Sequence, residues 1–160
     1  MEYLIIALSA YLIGSIPFGF LLTKLFLNKD IRDIGSGNIG ATNVLRTGNK
    51  LIGFTTLLLD ISKAVLPVIF IKFNYQDYIY IASLSVFLGH VFPVWLKFKG
   101  GKGVATYVGI LLSINLIYGL VFIISWIIIF LLSRYSSLSS IIASLSVPVY
   151  LLVFENFNSI

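Results

Sequence analysis

Residues 104–132 read "VATYVGILLSINLIYGLVFIISWIIIFLL" and contain no charged residue. As one α-helix this stretch would be about 43 Å long, against a bilayer hydrocarbon core of about 30 Å. A single strongly tilted helix would absorb the excess. A half-helix from Val104, a turn near "SIN" (113–115) and a return span ending at Leu132 fits better and is the arrangement expected. The rest of the chain is of one kind with this segment. Its 160 residues are 59% hydrophobic and 11% charged, with a mean hydropathy of +1.03. Ordinary soluble domains carry about 25% charged residues, and a domain of this size leaves too much surface exposed to hide such an excess. The fold expected is therefore all-α, a polytopic integral membrane protein whose single membrane domain (1–160) holds about six full or half transmembrane helices.

Working outward, residues 3–27, 51–73, 78–96 and 141–154 form the other apolar stretches. The first contains "GSIPFG" (14–19), where Pro17 removes a backbone donor and predicts a kink. Its start carries Glu2 and no basic segment, so it reads as a retained span and not a cleaved signal peptide. The polar stretches at 28–50 and 97–103 hold seven of the eleven basic residues, whereas the turn "NYQD" (74–77) holds none. Lys and Arg concentrate in cytoplasmic loops. That places both islands on the cytoplasmic side and the N-terminus outside. If 104–132 goes out and back, the loop "SRYSSLSS" (133–140) joins them, and three substrate loops (28–50, 97–103 and 133–140) meet at one membrane face.

Cysteine is absent and His90 is the sole histidine. Disulfides, thiolate chemistry and a His-rich metal cluster are thereby excluded, and neither metal nor cofactor is expected. The formal charge of +5 lies in membrane-flanking loops. It therefore speaks for orientation and anionic ligands, not nucleic acid.

The two islands carry the chemistry. "GSGNIGATNVLR" (35–46) fits the spacing of a dinucleotide loop, but that motif needs a strand before it, and here the neighbours are membrane helices. It also falls short of a P-loop, since Ala41 stands where the lysine belongs. What remains is anion-binding physics. Gly35, Gly37 and Gly40 allow backbone N–H groups to face a common concavity. Ser36, Asn38, Thr42 and Asn43 add uncharged donors. A helix beginning near Asn38 would add its positive end, and Arg46 a planar fork for phosphate. The alternative is a glycine-rich turn that lets two spans pack, with Arg46 as an anchor. In "KFKGGKGVAT" (97–106), Gly100, Gly101 and Gly103 surround Lys102 just before a helix. Lys97 and Lys99 read as headgroup anchors.

Asp60 and Lys63 lie one turn apart within a span, where charges pair or face a cavity. They serve either as a structural ion pair or as ligand-facing groups. His90 is either a packing histidine or a site residue. With Trp95 five positions on, it has no acidic partner of the H-x-x-x-x-D kind.

"GSIPFG", "GSGNIGATNVLR", "LLLDISKA" and "GHVFPVWLKFKGGKGVAT" together resemble the bacterial acyl-phosphate-dependent glycerol-3-phosphate acyltransferases, the PlsY family, over essentially the whole chain. "RYSSLSS" is similar to that family's later loop, which adds Ser140 to Asp60 and Lys63 as a further candidate. The resemblance implies transfer of a fatty acyl group from acyl phosphate to the 1-position of glycerol 3-phosphate, the first step of bacterial phospholipid synthesis, without metal or CoA. It implies a monomer among membrane lipids of the cell membrane, with its active face cytoplasmic. Ser36, Asn38, Thr42, Asn43 and Arg46 would serve the first phosphate motif. Gly100–Gly103 would form the second, with His90 at its start. Catalysis would fall to Lys102, Arg46 and Ser36. The family continues to a further span and a third polar motif, and the sequence here stops at "VFENFNSI". An inactive shortened homologue and an anion or phospholipid transporter are the rival expectations.

Overall fold

A computed structural model describes residues 1–155, with the side chains of residues 1–154; the last residues of the expected 1–160 domain lie outside it. Its helices are α1 (Glu2–Gly14), α2 (Phe18–Leu27), the single turn α3 (Ala41–Val44), α4 (Lys50–Asn74), α5 (Ile79–Val91), α6 (Val104–Ile114), α7 (Leu116–Ser133) and α8 (Ser136–Tyr150). There is no strand among the described residues, and five segments are long and apolar enough to cross a membrane: Glu2–Leu27, Lys50–Asn74, Gln76–Leu96, Leu116–Ser133 and Ser136–Phe154. The shorter α6 is the half-helix.

Pro17 does more than kink the first span. Helix α1 stops at Gly14 and α2 restarts at Phe18, so the span is broken over three residues. The break sits where α1 crosses α5. Side chains on Gly14 or Gly89 would collide with the opposing backbone at Val86 or Tyr11, so glycine there lets the two backbones touch, as small residues do in membrane helix pairs.

The long apolar stretch divides at Asn115, whose extended backbone interrupts the helix while its side chain accepts the N–H of Ile117 at 2.9 Å. The chain then folds back. The Tyr107 and Phe122 ring centroids are 5.4 Å apart, where one continuous helix would separate those positions by about 22 Å. Lys72 of α4 closes the freed end of α6, donating to the carbonyls of Ser113 and Ile114 at 2.9 and 2.8 Å.

One expected loop is mostly helix. Of 133–140, only Arg134 and Tyr135 lie between α7 and α8. The serines that read as loop-formers bond back to the preceding turn: Ser139 to the Tyr135 carbonyl at 2.8 Å, Ser140 to Ser136 at 2.8 Å and Ser144 to Ser140 at 2.7 Å. A hydroxyl satisfied in this way is compatible with a membrane helix.

Candidate active site

The first island is held together by Asn43. Its Oδ1 accepts the Ser36 N–H at 2.9 Å, and its Nδ2 donates toward the carbonyls of Ile31, Ile34 and Asn38 at 3.2, 2.8 and 2.8 Å. The residue is buried. Asn43 is therefore a pin for the loop and not a free donor. Other expected donors are also used inside the loop. The Gly37 N–H bonds the Ile34 carbonyl, and the Gly40 N–H bonds Asn38 Oδ1 at 2.9 Å. The helix expected from Asn38 is the single turn α3, too short to build a dipole. The island's chemistry is thus carried by side chains. Ser36, Thr42 and Arg46 are exposed. Arg46 lies across Gly35, where a Cβ would be 2.7 Å from Arg46 Cδ; with φ of +57° at Gly35 and +69° at Gly37, glycine is required at both. A cavity of about 380 Å³ opens beside Arg46 and Thr47, walled also by Lys29, Asp30, Asp33 and Ile34. Within its wall the Asp30 carboxyl is held down at about 2 by its hydrogen bond to the Arg32 guanidinium.

The second island sets a helix start beside a lysine. Gly103 has φ of +81° and caps α6 without a side-chain bond to the first N–H groups. Gly100 and Gly101 are glycine for a different reason. A Cβ on Gly100 would strike the His90 carbonyl and Pro93, and one on Gly101 the His90 ring. The N–H groups of Gly100 and Gly101 bond the carbonyls of Val91 and His90, each at 3.0 Å. Lys102 stands exposed on this tight frame, with no ion-pair or hydrogen-bond partner among the described residues.

Leu96 joins the islands. It packs in one apolar cluster with Ile31, Ile39, Val44 and Ile52 beneath the first loop. This link is invisible in the motifs themselves. The islands also differ in depth. Gly109 of α6 packs against Ile61 and Ala64 of α4, and counting residues along the two helices puts Gly103 roughly 10 Å below the Lys50 end of α4. The second island therefore lies deeper along the bundle than the first turn of α4. Beside it an apolar groove of about 330 Å³ runs between Ile16, Pro17, Phe20 and Leu21 of the broken span and Trp95 and Leu96.

The remaining candidates are interior. Asp60 and Lys63 are buried and paired at 2.8 Å. His90 is buried, with Nδ1 3.7 Å from Asp60 Oδ1. Neither the ring nor the ion pair is open to a ligand. Ser140 accepts the Trp126 Nε1–H at 3.1 Å and donates to Ser136, which commits it to the α7–α8 contact.

The arrangement combines two exposed cations, hydroxyl donors and an adjoining apolar groove. It suits a reaction between a phosphate-bearing polar molecule and an amphiphile with an anionic head. Comparison with known proteins agrees. Residues 4–160 match the family model described as glycerol-3-phosphate acyltransferase. The glycerol-3-phosphate acyltransferase of Pelagibacter ubique is 78% identical over all of this chain and 84% of its own length. Among solved structures, PlsY, an integral membrane glycerol 3-phosphate acyltransferase, superposes in its glycerol 3-phosphate form with a TM-score of 0.90. The identity is 38%, over 96% of this chain and 78% of that one. Its lysophosphatidic acid form gives 0.87, at 37% identity over 96% and 77%.

Proposed function

The chain belongs to the glycerol-3-phosphate acyltransferase family, and from that membership we propose how its two loops divide the reaction. The protein transfers a fatty acyl group to glycerol 3-phosphate within the membrane, a step of phospholipid synthesis. The donor in our reading is acyl phosphate, a mixed anhydride that needs little activation. The observation that carries this reading is the pairing of Arg46 and Lys102, both exposed and without a protein partner among the described residues, on loops joined through Leu96. Two unpaired cations fit two phosphate groups, one on each reactant. The apolar groove at Pro17, Phe20 and Trp95 suits the acyl chain.

The 1-hydroxyl oxygen of glycerol 3-phosphate attacks the acyl carbon, and the bond from that carbon to the phosphate oxygen breaks. Charge developing on the carbonyl oxygen and the leaving phosphate falls to Lys102, Arg46, the hydroxyls of Ser36 and Thr42 and the open end of α6. Holding both reactants supplies the rest. His90 is enclosed by Gly101 and Asp60, so the hydroxyl proton passes to a substrate phosphate, leaving as hydrogen phosphate. The reading assigns every role to one chain and takes the enzyme as a monomer. Purified protein in lipid nanodiscs, given radiolabelled glycerol 3-phosphate and palmitoyl phosphate, is expected to form labelled lysophosphatidic acid. No lipid product, or label trapped in vesicles without product, would overturn the reading.

The active face is cytoplasmic in this proposal. The clustering of Lys29, Arg32, Arg46, Lys97, Lys99 and Lys102 on the two loops supports it. Single cysteines at Ser36→Cys and Lys99→Cys are expected to react with an impermeant maleimide from the cytoplasmic side, and Gln76→Cys from the outside. Labelling of Ser36→Cys from outside alone would sink the topology.

A further inference from the structure

The buried ion pair in α4 is connected at both ends. Besides its contact with Asp60, Lys63 Nζ donates to the carbonyl of Ile16 at 2.8 Å and lies 5.7 Å from the centroid of the Phe18 ring. Ile16 lies in the break in the first span, at the wall of the apolar groove, and Phe18 is the first residue of α2 after it. At the other end, His90 sets Nδ1 toward Asp60 while Nε2 lies against Gly101. The His90 carbonyl takes the Gly101 N–H at 3.0 Å. The contact chain therefore runs from the groove, through Lys63, Asp60 and His90, to the residue before Lys102. Charges in a membrane interior are costly, and an apolar pair of similar volume would pack there as well or better. Stability alone does not account for the cluster.

We propose that Asp60, Lys63 and His90 are positioning residues that hold the groove-lining break and the Lys102 loop in fixed relation, so that an acyl carbonyl in the groove meets the lysine in register. The proposal rests on the acyl transfer reading above. None of the three touches substrate. Each acts by fixing a neighbour's backbone.

The test separates position from stability. The double variant Asp60→Leu/Lys63→Met removes both charges and keeps the volume. Its melting temperature is expected to stay near that of the parent. KM for glycerol 3-phosphate should change by less than about threefold while kcat falls by about a hundredfold, the scale of a 1 Å misplacement. The chain has no cysteine, so a spin label at Lys97→Cys reports on the loop alone and is expected to become more mobile in the double variant. Full kcat at the parental melting temperature, or an unchanged label spectrum, would overturn the proposal. Should the double variant not fold, Asp60→Asn/Lys63→Gln, which preserves polarity and leaves no unpaired charge, decides it by the same two readouts. If the parent protein makes no lipid product, the function reading fails while the label still tests the coupling.

Discussion

Lys102→Ala is expected to slow lysophosphatidic acid formation by roughly thirtyfold to several thousandfold, the effect of removing one partner of a desolvated charge pair at about 2–5 kcal/mol. The side chain stands between Gly101, pressed on the His90 ring, and Gly103, whose φ of +81° and contact with Phe87 exclude a larger residue. Its charge is thus delivered from a frame with little freedom. Arg46→Ala should act on the same scale. Lys102→Arg should also fail, because a planar fork does not replace a point charge. Lys99 is the control. It follows Lys97 and Phe98, both with positive φ at 52° and 62°, on the exposed part of the loop, and Lys99→Ala should cost under about 1 kcal/mol. The measurement is initial rate against both substrates in one lipid composition. Equal losses at Lys99 and Lys102 would mean that the loop acts as a diffuse positive surface.

Asn43→Ala should be comparably damaging without touching substrate. It removes the Asn43 bonds to the Ser36 N–H and the Asn38 carbonyl, and one of the two donors at each of the Ile31 and Ile34 carbonyls, which keep the Ile34 and Gly37 N–H groups. A buried polar group left unsatisfied costs about 1–3 kcal/mol, so the loop from Ile31 to Arg46 should lose its fold locally while the spans remain. Asn43→Asp should fare no better, since it restores the acceptor for Ser36 but sets a negative charge against the three carbonyls. Hydrogen exchange of substrate-free protein provides the check. Faster exchange at Ser36 and Gly37, with α4 unchanged, is the expected pattern. Normal protection with lost activity would instead make Asn43 a direct ligand.

The sequence was most readable where one physical rule dominated. Hydropathy and length located the spans and the turn near Asn115, because a 29-residue apolar run does not fit a bilayer as one untilted helix. Glycine density found both islands. Donor type misled at Asn43 and Gly40, because a side chain able to hold phosphate is equally able to hold its own loop, and spacing does not distinguish the two. Composition misled at 136–140, where serines suggested a loop and instead bond back into α8. Lys63 reads in the sequence as either half of an ion pair or a ligand-facing group. Its other acceptor, the Ile16 carbonyl, lies 47 positions away, and only packing of α4 against the broken span brings them together. The join at Leu96 is illegible for a similar reason: in sequence it is simply one more apolar residue.

The depth of the Lys102 loop bears on how reactants find one another. A bilayer is stratified, and an amphiphile's ester or anhydride linkage settles just beneath the headgroups, held there by its own partitioning at about 0.8 kcal/mol per buried methylene. In the acyl transfer reading proposed above, the placement of Gly103 roughly 10 Å below the start of α4 sets the lysine toward the depth at which the reactive carbonyl travels. The acyl donor need not be lifted out of the leaflet. It arrives by lateral diffusion, so the encounter is a search in two dimensions. The new lipid slides back sideways into the sheet it was made to enlarge.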